Sequence, residues 1–323
     1  MIESVYIIFI DEEFKMKKTL RFLQKSIWVL LVEAIFVALL GTVSFVYLFD
    51  SITDTLAFPH VIVILFIFAV LCGVGTTRYV CVKSNNIGIT RIKKTNKFIL
   101  FADAFAVIMM LTFFIYECVT SMTYAENENK ALVFFRVTRW VLSIPALGYF
   151  VIQAMPKKIR RVKIEIPTYL GIITSISLIL WCIFGIFTTY FAKHLTSPND
   201  VTKICMMFIY AILALFFIFE GEFQYVKTAH KPYMMLAFCS TISTFAIPFS
   251  ISIAKIFRAE MAYDALSQPE LLMCFAIGVY ALAKMFALIS TMNLVLESSH
   301  GRSHSHSTEK SKNVENQDTS SAE

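Results

Sequence analysis

Charge is scarce in this chain of 323 residues: Asp, Glu, Lys and Arg make up only 16% of it, against about 25% in soluble domains. Glycine and proline are few as well, at 10 and 8. No CxxC spacing occurs among the seven cysteines (72, 81, 118, 182, 205, 239 and 274), which removes the usual metal-binding and redox patterns. No stretch between the apolar runs is long enough to fold as a catalytic domain, so no enzyme activity is expected. These shortages exclude a soluble enzyme, a disordered chain and a nucleic-acid binder. What is present is apolar: 57% of the residues are hydrophobic, with 31 Phe, 13 Tyr and 14 Met. The net charge of +6 does not signal a basic groove, because membrane proteins gather Lys and Arg on one side for topological reasons.

A helix needs about 20 apolar residues to cross roughly 30 Å of hydrocarbon. Eight such runs stand at 27–49, 59–82, 98–122, 132–155, 167–191, 204–226, 232–256 and 270–296. The expected fold is all-α: a polytopic bundle of eight transmembrane helices. Pro59, Pro167 and Pro232 stand near helical starts, where a missing N–H does no harm. Polar clusters at Asp50–Asp54, Glu126–Lys130, Ser197–Asp200 and Ser267–Glu270 read as turns.

Of the 29 Lys and Arg, 21 fall on one side of this layout and five on the other. The positive-inside bias places both termini in the cytoplasm, and the expected location is the plasma membrane. An even number of spans follows, which argues against a seven-helix receptor with its N-terminus outside. Residues 1–26 form a basic tail, and the run at 27–49 reads as a retained signal-anchor. Residues 297–323 read as a disordered cytoplasmic tail. His300, His304 and His306 in that tail could hold a metal, but no metal site is expected. The cysteines read as small buried hydrophobes. The outer loops hold no Asn-x-Ser/Thr sequon.

Ionisable groups at membrane depth are costly and mark functional candidates. They are Glu33, Asp103, Glu117, Arg136, Arg139, Glu220, Glu222 and Lys284. Lys284 lies near the middle of the last run, too deep to snorkel easily. It reads as a partner in a buried ion pair, as a neutral reactive amine, or as the lining of an aqueous path. Arg136 and Arg139, spaced i, i+3, share a helix face. Glu117 lies at a matching depth in the antiparallel third run, so it can pair with Arg139 or Arg136. Glu220 and Glu222 approach the cytoplasmic end of the sixth run, where water can reach them, and Glu33 and Asp103 lie within about two turns of that side.

These residues resemble the microbial (type I) rhodopsins in an eight-helix form with one additional N-terminal helix. The third core helix of that family carries an Arg followed at +4 by Trp and at +9 by Pro, as in Arg136, Trp140 and Pro145 here. Its last helix carries the retinal-binding Lys after an Ala, as in Ala283-Lys284, and its penultimate helix carries a mid-helix Pro, as at Pro248. The resemblance spans about residues 59–296. It implies retinal as cofactor, in a Schiff base on Lys284, with Trp140, Ser143, Pro248 and Tyr280 around it and Glu117 as counterion.

Departures from the family pattern qualify what is implied. Arg139 stands where the pump pattern has a carboxylate, Tyr280 where a carboxylate precedes the Lys, and Phe150 at the cytoplasmic proton-donor position. Two cations at about 7 Å with an effective dielectric of ~20 repel by roughly 2 kcal/mol, which favours a neutral Schiff base. The implied role is sensory or signalling rather than outward proton pumping. The partners would be the lipid bilayer and either a second copy or a signalling protein. Two other classes stay open. In one, Arg136, Arg139, Glu117 and Lys284 line the route of an ion channel or secondary transporter; in the other, the chain is a retinal-free scaffold.

Overall fold

The computed structural model describes residues 26–50, 55–56, 59–83, 97–124, 130–154, 168–191, 201–226, 230–257 and 267–291. Within them stand eight helices long and apolar enough to cross a membrane. We label them α1 (Ser26–Tyr47), α2 (Pro59–Lys83), α3 (Lys97–Tyr124), α4 (Lys130–Ala154), α5 (Thr168–Phe191), α6 (Val201–Gly221), α7 (His230–Thr244) and α8 (Gln268–Thr291). α6 runs on through a π turn at Glu222–Val226. α7 passes through a second π turn at Phe245–Phe249, then continues as Ser250–Phe257. The chain is thus an integral multi-pass membrane protein with an all-α bundle. A two-residue antiparallel ladder, Phe49–Asp50 with Thr55–Leu56, ties the end of α1 to the approach of α2. The tails, with His300, His304 and His306, lie outside the described residues.

Local chemistry explains the helix ends and irregularities. Pro59 opens α2, where its missing N–H is no loss. Pro248 sits inside the second π turn, where the widened ring accommodates a residue that cannot donate. At α8 the expectation of a turn over Ser267–Glu270 gives way to a helix start. The Glu270 N–H donates to Ser267 Oγ at 3.3 Å, and the Leu271 N–H donates to the Ser267 carbonyl at 3.1 Å. The Ser-x-x-Glu spacing is that of a capping box. Its glutamate, though, has turned inward to another partner.

The bundle is apolar on the outside as well as inside. On α1, Trp28, Val32, Phe36, Leu39, Val43 and Tyr47 form one exposed stripe, as a lipid-facing surface requires. α3 packs on α4, α4 on α5, α5 on α6 and α6 on α7, while α2 lies against α6 and α7. α1 joins through Thr76, which donates to Glu33 at 2.9 Å, and through Ser250, which donates to the Ala38 carbonyl at 3.0 Å. α7 and α8 are the most enclosed helices. They approach so closely that a Cβ on Gly278 would overlap Thr244. α8 also packs edge to face on α3, through Phe286 with Phe98 and Phe275 with Phe105. Its side chains reach α3, α4, α6 and the π turn that follows α7, and the polar chemistry gathers around it.

Candidate functional site: two charged layers along α8

The first layer lies near the start of α8. Arg139 of α4, 3% exposed, meets Glu270 with Nη1 2.6 Å from Oε1. Its Nη2 donates to the Tyr210 hydroxyl of α6 at 2.7 Å, and that hydroxyl donates onward to Glu270 Oε1. Nη1 also lies 3.3 Å from Thr188 Oγ1 of α5. The guanidinium rests 4.2 Å from the Trp181 ring centroid, a cation–π contact strengthened by the burial of both groups. Trp181 Nε1 donates to Ser143 Oγ at 3.1 Å, and Ser143 donates to the Arg139 carbonyl at 3.0 Å. The charges of this layer balance, one cation to one anion with a hydroxyl relaying between them, and Arg139 Nε is buried without a hydrogen-bond partner.

The second layer lies toward the other end of the same helices. Lys284 of α8, 6% exposed, places Nζ 3.4 Å from Glu220 Oε1 of α6 and donates to Gln153 Oε1 of α4 at 3.2 Å. Glu220 Oε1 accepts further bonds from the Tyr280 hydroxyl at 2.7 Å and from Gln224 Nε2 at 3.0 Å. Gln153 Nε2 donates to Gln224 Oε1 at 3.0 Å, which closes a ring of side chains. Asp103 of α3, 1% exposed, belongs to the same group, with Lys284 and Glu220 as its electrostatic neighbours. This layer is not closed. Asp103 Oδ1, Glu220 Oε2 and the Tyr233 hydroxyl of α7 are buried without a hydrogen-bond partner.

The layers share a register. Arg139 and Gln153 on α4, Tyr210 and Gln224 on α6, and Glu270 and Lys284 on α8 are each fourteen residues apart. Fourteen residues are close to four turns and about 21 Å, so each helix presents both members on nearly one face. Three helices matching in the same order must run parallel. Between the layers, Tyr149, Phe150, Phe216, Phe217 and Tyr280 pack ring on ring, with centroids 5.1–6.4 Å apart. The result is two polar clusters separated by an aromatic plug.

Several sequence expectations change. Arg139 takes Glu270 as its carboxylate, not Glu117, because its side chain points to α5, α6 and α8 at the bundle interior. Arg136 and Glu117 are both half-buried. Glu220 is not at a wet helix end: it is fully enclosed and is the partner of Lys284. Lys284 stands sixteen residues into α8 and seven before Thr291, the last described residue. Trp140, about 100° around α4 from Arg139, stacks on Phe114 of α3 at 5.3 Å, and its Nε1 is buried without a partner. Ser143 belongs to the arginine layer, Tyr280 to the lysine layer, and Pro248 is buried in the π turn of α7. Cys182, Cys205, Cys239 and Cys274 are buried, and Cys72 and Cys118 are half-buried. No family model, curated protein or solved structure matches the chain.

Proposed function

We propose that the chain is a membrane transport protein in which the two charged layers are the closures of one path along α4, α6 and α8. The observation that supports this is the shared fourteen-residue register: the same three helices build a polar closure near each end, with an aromatic plug between. Ionisable residues in a membrane interior mark ion or substrate pathways. Two ion pairs that open in turn would give alternating access to the plug. The lysine layer faces the cytoplasm in the orientation set by the basic loops.

The test needs no knowledge of the substrate. A single cysteine at Ile277, fully buried between the layers, is introduced into a chain whose seven native cysteines are replaced. A membrane-impermeant thiol reagent is then added from either side. Lys284→Met should speed labelling several-fold from the cytoplasmic side alone, and Arg139→Gln from the outer side alone. Labelling that neither substitution changes, or that both change from the same side, would sink the two-closure reading.

A second reading rests on the Lys284–Glu220 pair. A lysine amine with a carboxylate 3.4 Å away has the counterion that a protonated retinal Schiff base would need, and a sensory protein of that kind would use it. Added all-trans-retinal should then give a shifted, hydroxylamine-sensitive absorption band that Lys284→Ala abolishes. Absence of that band in the wild type removes this reading.

A further inference from the structure

The lysine layer holds one amine and two buried carboxyls: Glu220 lies 3.4 Å from Lys284, and Asp103 follows Ala102, which packs with Ala283 and Ala287 of α8. With both acids ionised and Lys284 charged, the group carries a net charge of −1 inside a low-dielectric bundle, an arrangement that buried groups avoid by pairing or neutralising. Lys284 is the cation among the electrostatic neighbours of Asp103, while Lys97 of α3 and Lys231 of α7 are exposed. α3 contributes Asp103; α4 contributes Tyr149 and Gln153. α6 contributes Glu220 and Gln224, α7 contributes Tyr233, and α8 contributes Tyr280 and Lys284. An independent observation points the same way. The Tyr233 hydroxyl is fully buried with no hydrogen-bond partner, and its electrostatic neighbour is Glu220. Glu220 Oε2 and Asp103 Oδ1 are unpartnered as well.

We infer that Asp103 and Glu220, together with Lys284, form a proton-binding site that holds one exchangeable proton per chain. This deepens the transport reading by naming the coupling ion, and it rests on that reading for its use. With Lys284 paired to Glu220, the proton resides on Asp103. When it forms an O–H bond at Glu220 instead, the ammonium of Lys284 loses its partner there and is drawn to the ionised Asp103. That step breaks the Lys284–Glu220 contact and draws Nζ away from Gln153 Oε1 as well, and the proton leaves by the reverse step. Proton transfer and opening of the lysine layer are thereby one event. A metal cation fits less well, because the ammonium already occupies Glu220 Oε1 at 3.4 Å and would repel it.

The site can be read without transport. Infrared difference spectroscopy on the purified full chain at neutral pH, where exposed carboxyls are ionised, should show one protonated-carboxyl C=O band that shifts in D2O. Charge counting fixes the outcome for each variant. Asp103→Asn and Glu220→Gln each leave one acid for one amine and should remove the band. Lys284→Met leaves two acids with no amine and should raise its area about twofold, one proton for each acid by that same count. If Glu220→Gln does not fold because Lys284 is left unpaired, the double variant Glu220→Gln/Lys284→Met leaves Asp103 alone and should keep the band. A wild type without the band, a band that survives Asp103→Asn, or a band that sodium abolishes when it replaces choline would overturn the proposal. A band that behaves as expected while Ile277 labelling is unchanged by the layer substitutions would retain the proton site and discard the transport reading. The opposite pair of results would discard the site alone.

Discussion

Replacing Glu270 by Gln tests the arginine layer at its most exposed assumption, the identity of the carboxylate that neutralises Arg139. The amide can still accept from the guanidinium, so what is lost is the counter-charge of a group 3% exposed. Breaking a buried pair by removing one partner costs about 3–5 kcal/mol. Because the retained hydrogen bond and the partners available to an unfolded chain within the micelle soften the loss, we expect about 3 kcal/mol for this variant. Arg139→Gln also loses the cation–π contact with Trp181 at 4.2 Å, worth about 2 kcal/mol when desolvated, and should reach about 5 kcal/mol. The double variant removes both charges and should cost about 5–6 kcal/mol rather than the additive ~8, a coupling of about 2–3 kcal/mol. Reversible unfolding in mixed micelles, followed by tryptophan fluorescence, measures all three. Additive single costs, or an equal coupling of Arg139 with Glu117 in a parallel cycle, would refute the assignment.

Three further outcomes follow from the packing and the charge distribution. Gly41→Ala should destabilise by about 1–3 kcal/mol, because its Cβ would overlap the Ala246 carbonyl, backbone that cannot rotate away, and α1 must separate from α7; the same unfolding assay reads it, and a neutral result would mean that α1 is not seated there. Tyr280→Phe removes one donor to Glu220 but no charge, so it should cost only about 0.6–2 kcal/mol, well below the charge substitutions; an equal loss would make the hydroxyl rather than the ion pair the organiser of the lysine layer. Tags at either terminus should be reachable only from the cytoplasm, since 21 of the 29 Lys and Arg fall on that side; external labelling of the C-terminal tag in intact cells would overturn the topology.

The spans were legible because apolar length is a direct physical requirement of the bilayer, and the helix ends fall within about three residues of their expected places, inside the usual uncertainty of helix boundaries, except the last, whose expected end at 296 lies outside the described residues. The partners of the buried charges were not legible from depth alone. Counting residues from the end of the sixth run puts Glu220 near water, yet depth does not say which face a residue occupies, and the face of Glu220 looks inward at Lys284. Glu270 was concealed by its neighbours: Ser267, Gln268 and Pro269 read as a turn, although Ser-x-x-Glu is equally a helix start. Glu117 matched Arg139 in depth, but what α3 sets against the guanidinium is the Phe113 ring at 5.0 Å, and the carboxylate that reaches it is Glu270. One signal did lie in the sequence. The fourteen-residue spacing of polar residues on the fourth, sixth and eighth runs marks two layers on parallel helices, and it becomes visible only when alternate runs are compared with each other.

Packing does not require these charges. α7 is already held by close backbone approach at Gly41 and Gly278 and by small hydroxyl residues, among them Ser243, Thr244 and Ser250, that return their hydrogen bonds to backbone carbonyls. An aromatic plug alone would seal the space among α4, α6 and α8, and apolar residues of similar volume often stabilise a fold more than a buried ion pair does. The arginine layer could be defended as a structural brace, since its charges balance and its hydroxyl relays between them. The lysine layer cannot be defended in the same way. It adds a second acid, Asp103, that increases the electrostatic burden, and it leaves Asp103 Oδ1, Glu220 Oε2 and the Tyr233 hydroxyl unpartnered, where the arginine layer leaves Arg139 Nε. On the proton-site proposal, one proton serves two acids and can pass between them. That property is of no use to a brace, but it is what a site must have if a single proton is to decide whether the contact between α6 and α8 is closed.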